Sequence, residues 1–120
     1  MKHPSLDGLK PYHEYIEHLQ EIYPNVPYET IKKVEKTQKD ENKMNEELFK
    51  LNFRLQIGKR IAELRAEKKL SLQELSDKSG VTKANISRIE NGKYNVGIDV
   101  LTKLADALNT RIELVKKHTK

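Results

Sequence analysis

The 120-residue chain is 34% charged and 36% hydrophobic with a net charge of +5, which leaves room for one ordinary domain and an appendage around a modest core. No apolar run nears the roughly 18 residues that cross a bilayer, and zero cysteines remove disulfides and thiolate metal sites. The start, MKHPSLDG, has no apolar h-region, so no secretory leader is expected and the expected compartment is the cytoplasm, at the nucleoid.

Three zones follow in chain order. In the first, Tyr12, Tyr15, Ile16, Leu19, Ile22 and Tyr23 are spaced at three and four residues, a helical pattern. Pro24 and Pro27 interrupt it, because proline disfavours helix at the residue before it. Tyr28, Ile31 and Val34 suggest a second, weaker helix. TQKDENKMNEE, from Thr37 to Glu47, holds one apolar residue, Met44, and reads as a solvated linker or an exposed helix start. Residues 1–47 are expected to form an N-terminal arm for partner binding or dimerisation.

The second zone, residues 48–109, is expected to be a small helical domain. Leu48, Leu51, Leu55, Ile57, Ile61 and Leu64 run along one long helix ending near Lys69. SLQELSDKSGVTKANISRIENGK then reads as helix, tight turn, helix. Ser71 and Glu74 are spaced as a capping box, and Gly80 stands where the chain must leave the first helix. Thr82 can cap the second helix, whose Ile86 and Ile89 share one face. That spacing leaves Lys83, Ala84, Asn85, Ser87 and Arg88 pointing away from the core. Small, polar and basic side chains on a free helix face suit the major groove, where Arg and Lys read guanine and Asn adenine. The turn Asn91-Gly92-Lys93 offers amides and an ammonium to phosphate. A further helix is expected from Gly97 or Ile98 to Asn109. The predicted core is Ile61, Leu64, Leu72, Leu75, Val81, Ile86, Ile89, Leu101, Leu104 and Leu108.

The charge is unevenly spread. Arg54 to Lys93 holds ten Lys/Arg against five Asp/Glu, while Met1 to Phe53 holds eight against ten. The basic excess thus coincides with the helix-turn-helix pattern, as a phosphate-binding surface requires.

The third zone is residues 110–120. In TRIELVK, Ile112 and Leu114 alternate with Arg111 and Glu113, a strand pattern broken by Val115. A lone strand leaves its amides and carbonyls unpaired. With no second convincing strand in the chain, pairing with the same strand of another copy is expected, through Ile112 and Leu114, in a two-fold dimer. A frayed tail is the alternative.

IGKRIAELR, LSLQELSDKSGV, ISRIENGK and LTKLADAL, in this order between Ile57 and Leu108, resemble the lambda-repressor-like, or Cro-type, helix-turn-helix family. The resemblance implies five helices or fewer over that segment, with Thr82 to Asn91 as the recognition helix. By motif position it implies that Thr82, Lys83, Ala84 and Arg88 face bases, and that Gln73, Asn91 and Lys93 grip phosphate. One departure is that Val96 and Gly97 stand where the family often has proline and a capping Ser or Thr.

The ending LADALNTRIELVKK is similar to HigA- and HipB-like antitoxins of type II toxin–antitoxin pairs, in which a strand follows the last helix. That likeness implies a toxin-binding arm ahead of the DNA-binding domain. The toxin would be a small basic ribonuclease of the RelE/HigB class, met by Tyr12, Tyr15, Ile16, Leu19 and Tyr23. The alternative is that this first helix packs on its own domain or on a dimer mate.

Catalytic and metal chemistry find no support. His13 and His18 are five apart, off a common helical face, and neither they nor His3 and His118 form a ligand motif. Glu46 and Glu47 are adjacent rather than facing, unlike a general acid and base. No enzyme, cofactor or metal is expected. The expected fold is mainly α, a lambda-repressor-like domain with a helical arm and a dimerising strand. The expected function is a homodimeric antitoxin that represses its own operon at an inverted repeat in double-stranded DNA and neutralises a ribonuclease toxin. A stand-alone Cro-type regulator without a toxin is the alternative.

Overall fold

A computed structural model describes residues 9–117 of the chain; His3, His118 and the other terminal residues lie outside the described residues. Six helices follow one another: α1 (Leu9–Ile22), α2 (Tyr28–Thr37), α3 (Glu41–Glu67), α4 (Leu72–Ser79), α5 (Lys83–Glu90) and α6 (Ile98–Ala107). They build two compact units, Met1–Gln56 and Ile57–Lys120, so the division falls inside α3. The sequence pattern puts that division at Glu47 and Leu48. Leu48 instead lies in the core of the first unit, with Leu51 and Leu55 packed against it. Among the described residues no helix is long and apolar enough to cross a membrane.

The first unit closes α1 and α2 on the early turns of α3. Its core is Tyr15, Ile16, Leu19 and Tyr23 of α1, Val26 of the turn, Ile31 and Val34 of α2, and Met44 and Leu48 of α3. Asp40 starts α3 by accepting the amide of Asn42 at 2.8 Å, so the polar Thr37–Glu47 stretch is a helix start with Met44 turned inward. The turn after α1 is tied down where the Asn25 amide donates to Asn52 Oδ1 at 2.8 Å. Tyr12 donates its hydroxyl to Glu35 at 2.9 Å. Burial first, and then the Glu35 carboxylate, push the Tyr12 phenol up to about 12, so it stays a neutral donor.

The second unit packs the later turns of α3 with α4, α5 and α6. Ile61, Leu75, Val81, Ile86, Ile89, Leu104 and Leu108 are buried, with Ile57, Leu64, Leu72 and Leu101 half-buried against them. This agrees with the core expected from periodicity. Gly58 explains how α3 approaches α5 so closely: a Cβ there would lie 2.1 Å from the Ile89 carbonyl oxygen. Arg65, two turns along α3, forks onto the Glu90 carboxylate at 2.8 and 3.0 Å and donates a third bond to the Leu70 carbonyl. The Glu90 bond, its larger influence, raises the Arg65 pKa, so the guanidinium is permanently charged.

The expected C-terminal strand does not form within a single copy of the chain. Among the described residues there is no strand, and Arg111–Lys117 run exposed with no backbone ladder inside the chain. A strand needs an edge to pair with, and the described residues of one copy supply none.

Gly58→Ala tests the close approach. The added methyl should force α3 and α5 apart and cost about 1–3 kcal/mol, read as a lower denaturant midpoint; an unchanged midpoint would show that the approach is loose.

Candidate nucleic-acid interface

Local chemistry sets each bend of the helix-turn-helix. The Ser71 hydroxyl accepts the Glu74 amide at 3.0 Å while the Glu74 carboxylate accepts the Ser71 amide at 2.8 Å, completing the capping box. Gly80 leaves α4 with φ +77°, a left-handed conformation that glycine adopts without a Cβ clash. Its amide closes onto the Ser76 carbonyl at 2.9 Å. Thr82 then caps α5, its hydroxyl accepting the Asn85 amide at 3.2 Å.

With Ile86 and Ile89 buried against α4, the opposite face of α5 is open. Lys83, Ala84 and Arg88 are exposed there, as is the capping Thr82, and Asn85 and Ser87 are half-exposed. Lys83, Arg88 and Lys93 form no ion pair among the described residues, unlike Arg60 and Arg65, which are held by Glu63 and Glu90. Three unneutralised cations on and just after one short helix create a positive face suited to a polyanion.

Past α5 the chain turns through Gly92 at φ +71°. The Gly92 amide bonds the Ile89 carbonyl at 3.1 Å and the Lys93 amide bonds the Arg88 carbonyl at 2.8 Å. This is the Schellman pattern of helix ends. It consumes two amides that the sequence pattern offered to phosphate, leaving the Lys93 ammonium as the anion-binding group of that pair. Asn91, exposed, donates its side-chain amide back to the Ser87 carbonyl at 2.7 Å. Gln73, exposed at the start of α4, is hydrogen-bonded to Asp77 at 2.9 Å. Gly97 caps α6 with no side-chain bond, so the absent Ser or Thr removes a cap without removing the helix.

The other expected site residues lie elsewhere. Tyr15, Ile16, Leu19 and Tyr23 are interior to the first unit and Tyr12 is half-buried beside them, so α2 and α3 already cover the face expected to meet a toxin. Burying an aliphatic side chain contributes about 1.5–3 kcal/mol, which drives that face inward within the chain. Among the described residues, the large exposed apolar side chains of this unit are Ile22, Phe49 and Phe53. Ile112 and Leu114 are exposed on the C-terminal segment. His13 meets the Glu17 carboxylate at 3.1 Å and the Tyr28 hydroxyl, and His18 meets Glu21 at 3.8 Å.

Periodicity does not single out Gly58, Arg65, Glu90 or Tyr94, whose contacts join distant turns. Tyr94 lies under Arg88, with the guanidinium carbon 5.5 Å from the ring centroid.

Comparison with known proteins agrees with this geometry. A family model described as helix-turn-helix matches residues 61–115. An uncharacterized HTH-type transcriptional regulator of Archaeoglobus fulgidus is 41% identical over 54 residues, covering 45% of this chain and 77% of that protein. The chain belongs to the helix-turn-helix family of transcriptional regulators. The HTH-type transcriptional repressor RghR of Bacillus subtilis is 46% identical over 58 residues, 48% of this chain and 43% of RghR. The regulator SinR of the same organism is 42% identical over 65 residues, 52% of this chain and 59% of SinR. The match thus spans about half the length of these two relatives. No solved structure matches. The helix-turn-helix family is one of regulators, not of enzymes, and its match lies wholly within the second unit.

Proposed function

We propose that this protein is a sequence-specific DNA-binding repressor that inserts α5 into the major groove. The observation that carries the reading is the open face of α5, where Lys83 and Arg88 stand free of internal ion pairs beside the half-exposed Asn85, the capping Thr82 and the small Ala84 and Ser87. Arg88 is the guanine reader by chemistry, Lys83 and Asn85 are suited to purine edges, and Ala84 and Ser87 permit close approach. Lys93 grips phosphate, with Gln73 and Asn91 as further polar contacts along the backbone. The relatives' names, a transcriptional repressor and transcriptional regulators, support the same reading. The compartment that follows is the cytoplasm, at the nucleoid.

The repressor acts as a homodimer. Arg111–Lys117 is the support: an alternating segment with Leu114 99% exposed and no ladder within the chain. Ile112 and Leu114 of two copies would pair across a two-fold axis, presenting recognition helices to successive major grooves, about 34 Å apart, on an inverted repeat.

A second reading adds a toxin partner to this repressor and makes it an antitoxin whose first unit, Met1–Gln56, is the toxin-binding part. The Phe49–Phe53 pair favours it: two rings 4.9 Å apart on α3, 55% and 44% exposed, in the more acidic half of the chain. A basic ribonuclease would meet this surface in place of the buried tyrosine face. In co-expression with a short basic protein encoded by an adjacent gene, the full chain should capture it and Phe49→Ala/Phe53→Ala should not. Equal capture by both forms would remove this surface.

DNA reading is tested by titrating single-base variants of a duplex selected from a random pool. Arg88→Ala should cost about 1–3 kcal/mol and flatten preference at one base position. Lys93→Ala should weaken all sequences alike and lower the salt slope by about 1. Uniform loss from Arg88→Ala would refute its role as a base reader. The dimer has its own measurement: light scattering on a chain ending at Asn109 should give half the mass of the full chain, and an unchanged mass would exclude strand pairing.

A further inference from the structure

Arg88 is the one base-reading cation of α5 with an aromatic ring beneath it. Its guanidinium carbon lies 5.5 Å from the Tyr94 centroid, inside the roughly 6 Å range of cation–π attraction. No carboxylate among the described residues pairs with it. Arg65, by contrast, spends its donors on Glu90 and the Leu70 carbonyl.

The ring itself is held in place. Tyr94 is half-buried and packs against the core of the second unit. The turn before it is closed by the Lys93 amide on the carbonyl of Arg88 itself. One residue of that turn therefore fixes where the chain returns beside Arg88, and the next places its ring 5.5 Å from the guanidinium carbon. Attraction to a ring spends no N–H donor on an acceptor, and no described residue accepts a hydrogen bond from the Arg88 side chain. The donor edge of a guanidinium is what a guanine requires for two parallel hydrogen bonds.

We infer that Tyr94 is a positioning residue for base readout, holding Arg88 on its ring so that the guanidinium edge is preorganised for guanine. The inference rests on the DNA-binding reading of α5. It adds a specificity determinant outside the recognition helix, on a residue that touches no base itself. Side-chain ordering is completed before DNA arrives, so Tyr94 raises discrimination between sequences rather than affinity for DNA in general.

The test uses the full chain and the duplex that the wild-type protein selects from a random pool, with all single-base variants of that duplex. Tyr94→Leu keeps apolar bulk and removes the ring face. It should reduce preference by about threefold to tenfold at the base position that Arg88→Ala flattens, leaving the salt slope unchanged. Tyr94→Phe keeps the face and should retain wild-type preference. Arg88→Ala/Tyr94→Leu should discriminate no worse than Arg88→Ala alone. If Tyr94→Leu fails to fold, a fluorinated phenylalanine series at position 94 replaces it, because fluorination weakens the ring's negative face at nearly constant size. Preference should then fall stepwise with fluorine number. A wild-type protein with no sequence preference would overturn the DNA reading and this inference together. A selective wild-type protein whose Tyr94→Leu or fluorinated variants keep full preference, or lose affinity equally for all sequences, would overturn the role of Tyr94 alone.

Discussion

The second unit depends on how tightly α3 grips the end of α5. Gly58 lets the two backbones meet where any other side chain would strike the Ile89 carbonyl. Seven residues on, along the same face of α3, Arg65 clamps Glu90 with two short hydrogen bonds. Arg65 and Glu90 are 22% and 10% exposed, so water screens this pair far less than it screens the surface pair Arg60–Glu63. α5 has only eight residues, too few to persist as an isolated helix in water. Its existence and its direction are properties of the packing, and the DNA-reading face proposed for it inherits that rigidity.

Helix ends shape the unit as much as helix faces do. α3, α5 and α6 each leave through a left-handed residue: Lys69, Gly92 and Asn109. At each, the following amide reaches back to a carbonyl of the last turn, Leu70 to Arg65, Lys93 to Arg88 and Thr110 to Ala105. Gly92 and Asn109 are residue types that tolerate this conformation, whereas Lys69 adopts it against a Cβ penalty of about 1–2 kcal/mol. The Arg65 side chain also donates to the Leu70 carbonyl beside it, which helps hold that turn closed. The same arithmetic of donors decides the anion chemistry after α5, because amides spent on ending a helix are not available to phosphate.

The first unit has a different logic. Its tyrosines and aliphatics form their own small interior, with Tyr12 bonded to Glu35 and Tyr23 reaching Asn45. A helix with one apolar stripe buries it against whatever apolar surface is available, and here α2 and the start of α3 are available within the chain. Phe49 and Phe53, on the far side of α3 from that interior, were the less conspicuous residues in the sequence. Periodicity shows that a stripe exists; it does not say which of two stripes on neighbouring helices is left uncovered.

Features encoded within one or two helical turns follow from the order of residues alone. The Ser71–Glu74 box, the Gly80 turn, the Thr82 cap, the buried Ile86 and Ile89 and the basic excess around them are local chemistry, and they survive in the fold unchanged. Contacts between residues far apart were settled by the folded chain. It put Glu90 under Arg65 and Ile89 against Gly58, turned α1 inward, spent the Gly92 and Lys93 amides, and laid Tyr94 beneath Arg88. Those outcomes depend on which surfaces meet when whole helices pack, and spacing along a single helix does not contain that information.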